Sequence, residues 1–174
     1  MDTLKLTLVF MFFSLPCYGS SIDKNDFITD SGNAYIVATV VDAGGGFRSI
    51  AQLWNPLGSG RIVYIDKASV AHGYCAGNSG IDLRFNTSPL GAVTLNGSNK
   101  NLAITAKSVA QLRAAHVTAP VSNFTVYEIF QGACYKTHTV EFVPPIRLPE
   151  GTGAYFANGN DGANLPVTFE FREY

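Results

Sequence analysis

The sequence predicts an all-β protein: a single antiparallel β-sandwich, jelly-roll-like, with almost no helix. Three observations carry this. Short β-branched and aromatic segments recur along the chain. Clusters of glycine, asparagine and proline separate them. Charged residues make up only 14% against 47% hydrophobic, with 17 glycines, which suits an ordered β domain and excludes a disordered chain. The length, 174 residues, fits one domain.

The chain opens on "MDTLKLTLVFMFFSLPCYGSS". Lys5, an apolar run from Leu6 to Leu15, the helix-breaking Pro16 and small residues after it lay out a secretory signal peptide over residues 1–21. The run is shorter than the roughly 20 apolar residues of a membrane span. Export is therefore expected, to the periplasm, the cell surface or beyond, with no stable span once the leader is removed. Pro16 stands where a lipoprotein signal at Cys17 needs a small residue. Residues 22–33 are polar and read as a flexible arm before a β-sandwich domain over residues 34–174.

Within that domain Ala34–Val41 is a β-branched strand ended by Asp42-Ala43-Gly44-Gly45-Gly46. Phe47–Trp54 and Arg61–Val70 are two strands around "NPLGSG". The glycine pair Gly58 and Gly60 invites a phosphate-loop reading, but one residue separates the glycines and a strand follows where a helix is required. A long-looped hairpin is expected, without nucleotide binding. Ile81–Phe85 alternates apolar and charged residues, so one face is buried and one is wet.

Ala92–Leu95 and Leu102–Thr105 flank the polar turn "NGSNKN" as two further strands. Ser108–Ala115 is the one helical candidate, with Ser108 as its cap. Asn123–Phe130 and Thr139–Val143 follow as strands. Pro149–Gly153 is a turn. Leu165–Phe171 sets Val167, Phe169 and Phe171 against Thr168, Glu170 and Arg172, an amphipathic strand that finishes the domain.

Loss of the leader removes Cys17 and leaves Cys75 and Cys134. An even pair in an exported chain reads as one disulfide. Such a bridge stabilises by roughly 4 kcal/mol, less any strain.

Catalytic and metal chemistry finds little support. His72, His116 and His138 are scattered, with no zinc-ligand spacing among them and the cysteines, and no Gly-x-Ser-x-Gly elbow accompanies them. Glu128, Glu141 and Glu170 lie on strands as solvent-facing acids, where a glycosidase needs a pair roughly 5 to 10 Å apart over a cleft. "NGNDGAN", Asn158–Asn164, offers Asp161 alone as a carboxylate, too few for a hard-cation site, and reads as a tight loop. Net charge is −1 without a Lys/Arg cluster, which argues against a grip on nucleic acid. No catalytic residue, metal or cofactor is expected.

Aromatic side chains are the remaining resource. Trp54, Tyr64, Tyr74, Tyr135 and Tyr155 are the ones available for stacking on a surface glycan. Trp54 reads as packing, and Tyr74 and Tyr135 sit beside the two cysteines.

"LWNPLGSGRIVYI", "LRFNTSPLG", "SVAQLR" and "PIRLPEGTGAYF…LPVTFEFRE" together resemble a group of tailed-phage and prophage virion structural proteins, over about Phe47 to Glu173. These are turn-and-strand motifs, and the resemblance implies a scaffold with no catalytic residues to carry over. It implies a non-enzymatic structural or assembly subunit, capsid- or tail-associated, packing against copies of itself or other structural subunits. With a leader, an exported cell-surface relative on the same scaffold is the corresponding expectation. Cyclic oligomers are common for such subunits, and a trimer is favoured. A secreted carbohydrate-binding β-sandwich module is the competing expectation.

Overall fold

The computed structural model describes residues 32–42, 48–71, 80–117, 125–131, 137–158 and 164–174. The expected leader, residues 22–31 of the expected arm, His72, Tyr74, Cys75, Cys134, Tyr135 and Asp161 lie outside the described residues. The strands are β1 (Ala34–Val41), β2 (Arg48–Asn55), β3 (Val63–Ala71), β4 (Gly80–Asn86), β5 (Ala92–Asn99), β6 (Lys107–Val117), β7 (Thr125–Gln131), β8 (Thr137–Leu148), β9 (Thr152–Asn158) and β10 (Leu165–Glu173). Among the described residues there is no helix. The protein is all-β, as the sequence predicts.

The ten strands form one antiparallel sheet in the order β7-β4-β9-β2-β6-β5-β1-β10-β3-β8. The expected sandwich of two sheets is thus one continuous sheet curled on itself. Phe156 of β9 and Phe169 of β10 are far apart in that order, yet their rings stack at 5.5 Å. The two ends of the sheet therefore face each other across a shared core that includes Val37, Leu53, Ile65, Leu83, Leu112, Phe156, Phe169 and Phe171. Set β5 and β6 aside and the rest read β7-β4-β9-β2 and β1-β10-β3-β8. From β1 to β4, and again from β7 to β10, each connection crosses from one four-stranded half to the other, which is jelly-roll wiring. The β5–β6 pair is inserted between β4 and β7. It joins the halves, β6 pairing with β2 and β5 with β1.

Alternation explains most strands. In β10, Leu165, Val167, Phe169 and Phe171 are buried while Pro166, Thr168 and Glu170 are half-buried. The outer face is polar on β10, β3 and β8, where Thr168, Ser69 and Thr139 stand side by side and Glu170, Lys67 and Glu141 form the next row, while β1 adds the exposed Ile36 and Val40. The opposite half differs. In β2, Ala51 and Leu53 join the core, yet Ile50, Gln52 and Trp54 on the other face are buried too, at 1%, 0% and 6% exposure. Part of their cover is the loop after β4. Gln52 Nε2 donates to Asn86 Oδ1 (2.7 Å) and to the Ser88 carbonyl (3.1 Å), and Gln52 Oε1 accepts from the Leu90 amide (2.7 Å). Gly91 closes that loop at φ 62°, where a Cβ would lie 2.0 Å from the Ala114 carbonyl oxygen.

Three local expectations are corrected. Ser108–Ala115 is not a helix but the middle of β6, a strand paired on both sides. Its burial has period two, with Ser108, Ala110 and Leu112 buried and Val109 exposed. Tertiary pairing outweighs the weak helix preference of the short alanine-rich run. Leu102–Thr105 is not a strand. Asn101 folds this stretch into a turn, its Oδ1 accepting from the Ala103 amide at 3.0 Å and its carbonyl from Ile104 at 2.9 Å, and Leu102 is 95% exposed.

The third correction concerns Phe47–Trp54 and Arg61–Val70, which are not a hairpin. β2 pairs with β6 and β9, and β3 pairs with β10 and β8, so the glycine-rich link carries the chain from one half to the other. Local alternation looks the same in a hairpin and in a crossing.

Candidate functional site

The crossing loop answers the question that its glycines raise. Gly58 and Gly60 sit at φ 77° and 67°. Their amides point at one anion, and it belongs to the chain. Gly58 N–H donates to Glu150 Oε2 (2.9 Å) and Gly60 N–H to Glu150 Oε1 (2.8 Å). The loop is an amide nest occupied by a carboxylate. Asn55, fully buried, fixes its base: Asn55 Nδ2 donates to the carbonyls of Arg61 (2.9 Å) and Leu148 (3.1 Å), and Asn55 Oδ1 accepts from Ser59 Oγ (2.8 Å). The turn Pro149–Gly153 is thereby tied to the crossing loop.

A second acid lies in the same region, and this one is buried. Glu173, at the end of β10, is 4% exposed and accepts from the Ala110 amide (2.7 Å) and the Val109 amide (3.1 Å) of β6. The β5–β6 ladder breaks register between Asn96 and Ser98, and side chains replace the missing strand bonds. Asn96 Nδ2 donates to the Ser108 carbonyl (2.8 Å), and Ser108 Oγ accepts from Gly97 N–H (2.6 Å) and donates to the Ala110 carbonyl (2.7 Å). Burial pushes the Glu173 pKa up. The two backbone amides and the Arg61 charge pull against that without overcoming it.

The outer face of β3 and β10 carries a cleft of about 350 Å³ walled by Tyr64, Tyr174, Pro144, Pro145 and Arg172. Cross-strand register sets Tyr64 opposite Arg172. A register shift in β3 between Ile65 and Lys67 accompanies Asp66, whose carboxylate meets Arg172. Arg172 Nε donates to Asp66 Oδ2 (2.8 Å) and Nη2 to Asp66 Oδ1 (2.6 Å), a bidentate pair. These bonds raise the Arg172 pKa further.

The guanidinium lies 5.9 Å from the Tyr64 ring centroid and 5.8 Å from that of Tyr174. The two rings meet edge to face at 5.8 Å. Arg172 Nη1 also reaches the Tyr174 hydroxyl at 3.3 Å. Arg172 is 8% exposed while Tyr174 is 49% exposed, so a fixed polar floor underlies open aromatic walls.

Of the aromatic residues available for stacking, Tyr64 is at this cleft. Trp54 and Tyr155 are buried, Trp54 as packing, as expected. Tyr155 has a raised pKa, from burial first, with the neighbouring Arg84 charge opposing; Arg84 is in turn bonded to Asp82. Tyr74 and Tyr135 lie outside the described residues, as do the cysteines proposed to pair.

The other sequence-level candidates are dispersed. His116 is exposed on β6, and His138 is on β8. The backbone of Glu128 is in β7. Glu141 and Glu170 flank Lys67 at 3.8 and 3.7 Å on the open polar face rather than a cleft. Burial opposes ionisation of Glu170, but the bond to Lys100 and the charges of Lys100 and Lys67 hold its pKa below the usual value. Among the described residues no three His, Cys, Asp or Glu side chains gather to hold a metal ion.

Sequence reasoning placed Arg172 on the wet face of its strand but did not pair it with Asp66, 106 residues away, and it passed over Tyr174. The available signal was the alternation of Tyr64 and Asp66 opposite an outward arginine. Comparison with family models, with curated proteins and with solved structures finds no match.

Proposed function

We propose that the chain is a non-enzymatic building block that works by assembly, as a subunit of a virion-like particle or as an exported surface relative of one. The observation that supports it is where the buried polar side chains go. Gln52, Asn55, Asn86, Asn99, Ser108 and Glu173 each bond the chain's own backbone, at turns, strand ends and a broken ladder. The buried polar chemistry stiffens the chain's own backbone. Satisfied networks of this kind favour one rigid shape, which repeated packing needs. Jelly-roll wiring suits the reading, since capsid subunits use it, although lectins use it as well.

Multi-angle light scattering on the leaderless chain tests the proposal. A stable closed oligomer, with a trimer favoured, is the expected result. A strict monomer at the highest attainable concentration, alone and with other structural subunits encoded beside it, would overturn it.

A further inference from the structure

We infer that the cleft between Tyr64, Tyr174, Pro144 and Pro145 is a saccharide site that takes a neutral pyranose. This goes beyond the assembly reading and does not depend on it. The walls are rings: two tyrosines in edge-to-face contact and two consecutive prolines. The flat tyrosine rings stack on the C–H faces of a sugar at little entropic cost, because tyrosine has few rotors to freeze, and the prolines add apolar C–H surface. The size, about 350 Å³, lies at the small end of ligand sites and suits one or two sugar rings.

The floor decides between ligand classes. Arg172 lines the cleft and is locked to Asp66, outside the lining, in two bonds, which leaves guanidinium N–H donors beside the hydroxyl of Tyr174. A phosphate or sulfate would meet an arginine whose charge Asp66 already neutralises. A proline-rich peptide brings carbonyl acceptors and no N–H at its prolines, so it uses the donors alone. A vicinal diol both donates and accepts. It can accept from Arg172 while giving a hydroxyl proton to the Tyr174 oxygen. The polar pair is preorganised by the fold, since Arg172 is nearly buried and its partner is fixed across the β3–β10 ladder.

Saturation-transfer NMR on the leaderless chain, with cellotriose, maltotriose and chitotriose as probes, tests the inference. At least one probe is expected to show saturable binding. Tyr174→Ala should weaken that binding more than tenfold, whereas Tyr174→Phe, which keeps the ring, should stay within about threefold. The Tyr174 backbone bonds to Ile62 do not involve the side chain, so both variants retain the strand end. Asp66→Asn, read by the same titration, should also lose affinity, because it breaks the bidentate pair that fixes the Arg172 guanidinium. No saturable binding of any of the three probes, or binding indifferent to Tyr174→Ala, overturns the assignment. So does competition by a proline-rich decapeptide that binds this cleft more tightly than the sugars.

Discussion

Replacing Glu173 by alanine removes the acceptor for the buried Ala110 amide and for the part-buried Val109 amide. A buried N–H left unsatisfied costs about 1–3 kcal/mol and a part-buried one less, so about 6 kcal/mol is an upper bound for the two together. The loss is offset in part, because the variant no longer buries a carboxylate, and the upward pKa shift shows that this burial is not fully compensated. The expected net destabilisation at pH 7 is therefore below that bound, about 2–4 kcal/mol. Glu173→Gln keeps one oxygen and should lose less, about 1–2 kcal/mol.

The pH dependence has a definite sign. The native carboxyl has a raised pKa, so the folded state binds its proton more readily than the unfolded chain does. Its contribution is full below the unfolded value and is lost as pH rises through the folded one. Wild type should thus gain stability relative to Glu173→Gln on acidification. Tyr35, whose pKa is raised by burial and then by the Glu173 charge, titrates too high to interfere. Urea unfolding followed by fluorescence of Trp54, the one tryptophan, at pH 7 and near pH 4.5 measures both effects. A loss below about 1 kcal/mol for Glu173→Ala, or a wild-type advantage over Glu173→Gln that shrinks on acidification, would refute the reasoning.

Glu170 should show the opposite slope. Its lowered pKa gives stability that is present above the unfolded value and lost as pH falls through the folded one. Lys100→Met should remove up to about 1 kcal/mol of it at neutral pH and nothing at low pH, by the same urea titration. Gly58→Val and Gly60→Val should each cost about 1–2 kcal/mol through backbone conformation alone, since a Cβ at either position meets nothing within 4 Å. Gly91→Ala should cost more in thermal melts, because its Cβ would collide with the Ala114 carbonyl. Neither crossing-loop variant should change nucleotide affinity, which calorimetry with ATP is expected to find absent, as Glu150 holds both amides. Thiol titration of the denatured, unreduced, exported chain should find Cys75 and Cys134 unreactive, and two free thiols would dismiss the bridge.

The all-β class and most strands could be read because alternation is a local property. Leu165, Val167, Phe169 and Phe171 mark the buried face of β10 without knowledge of its neighbours. Partnership is not local. Nothing near Asn55 says that β2 pairs with β6 and β9 rather than with β3, so a crossing was read as a hairpin. β6 misled for a related reason: two neighbouring strands hold Ser108–Ala115 extended, and they lie elsewhere in sequence. The cleft was half legible. Tyr64 could be named as an available aromatic, but its companions Arg172 and Tyr174 join it through the β3–β10 ladder, which spans almost the whole domain.

A ribbon has two selvedges, and among the described residues the outermost strands of this one are β7 and β8. It also has a slit: β1 and β5 are stitched only at Tyr35–Asn99 and Ile36–Ser98, so Val37–Val41 has no ladder partner on that side. An assembly that grows by adding strands at β7 and β8 extends the ribbon into a filament or closes it into a ring. On β8 the usable margin is shorter than the strand, because Pro144 and Pro145 have no N–H to offer a neighbour. The longest stretch of β8 open to a foreign strand without interruption is thus Thr137 to Val143, with Glu141 projecting beside it as a charge that discourages indiscriminate pairing.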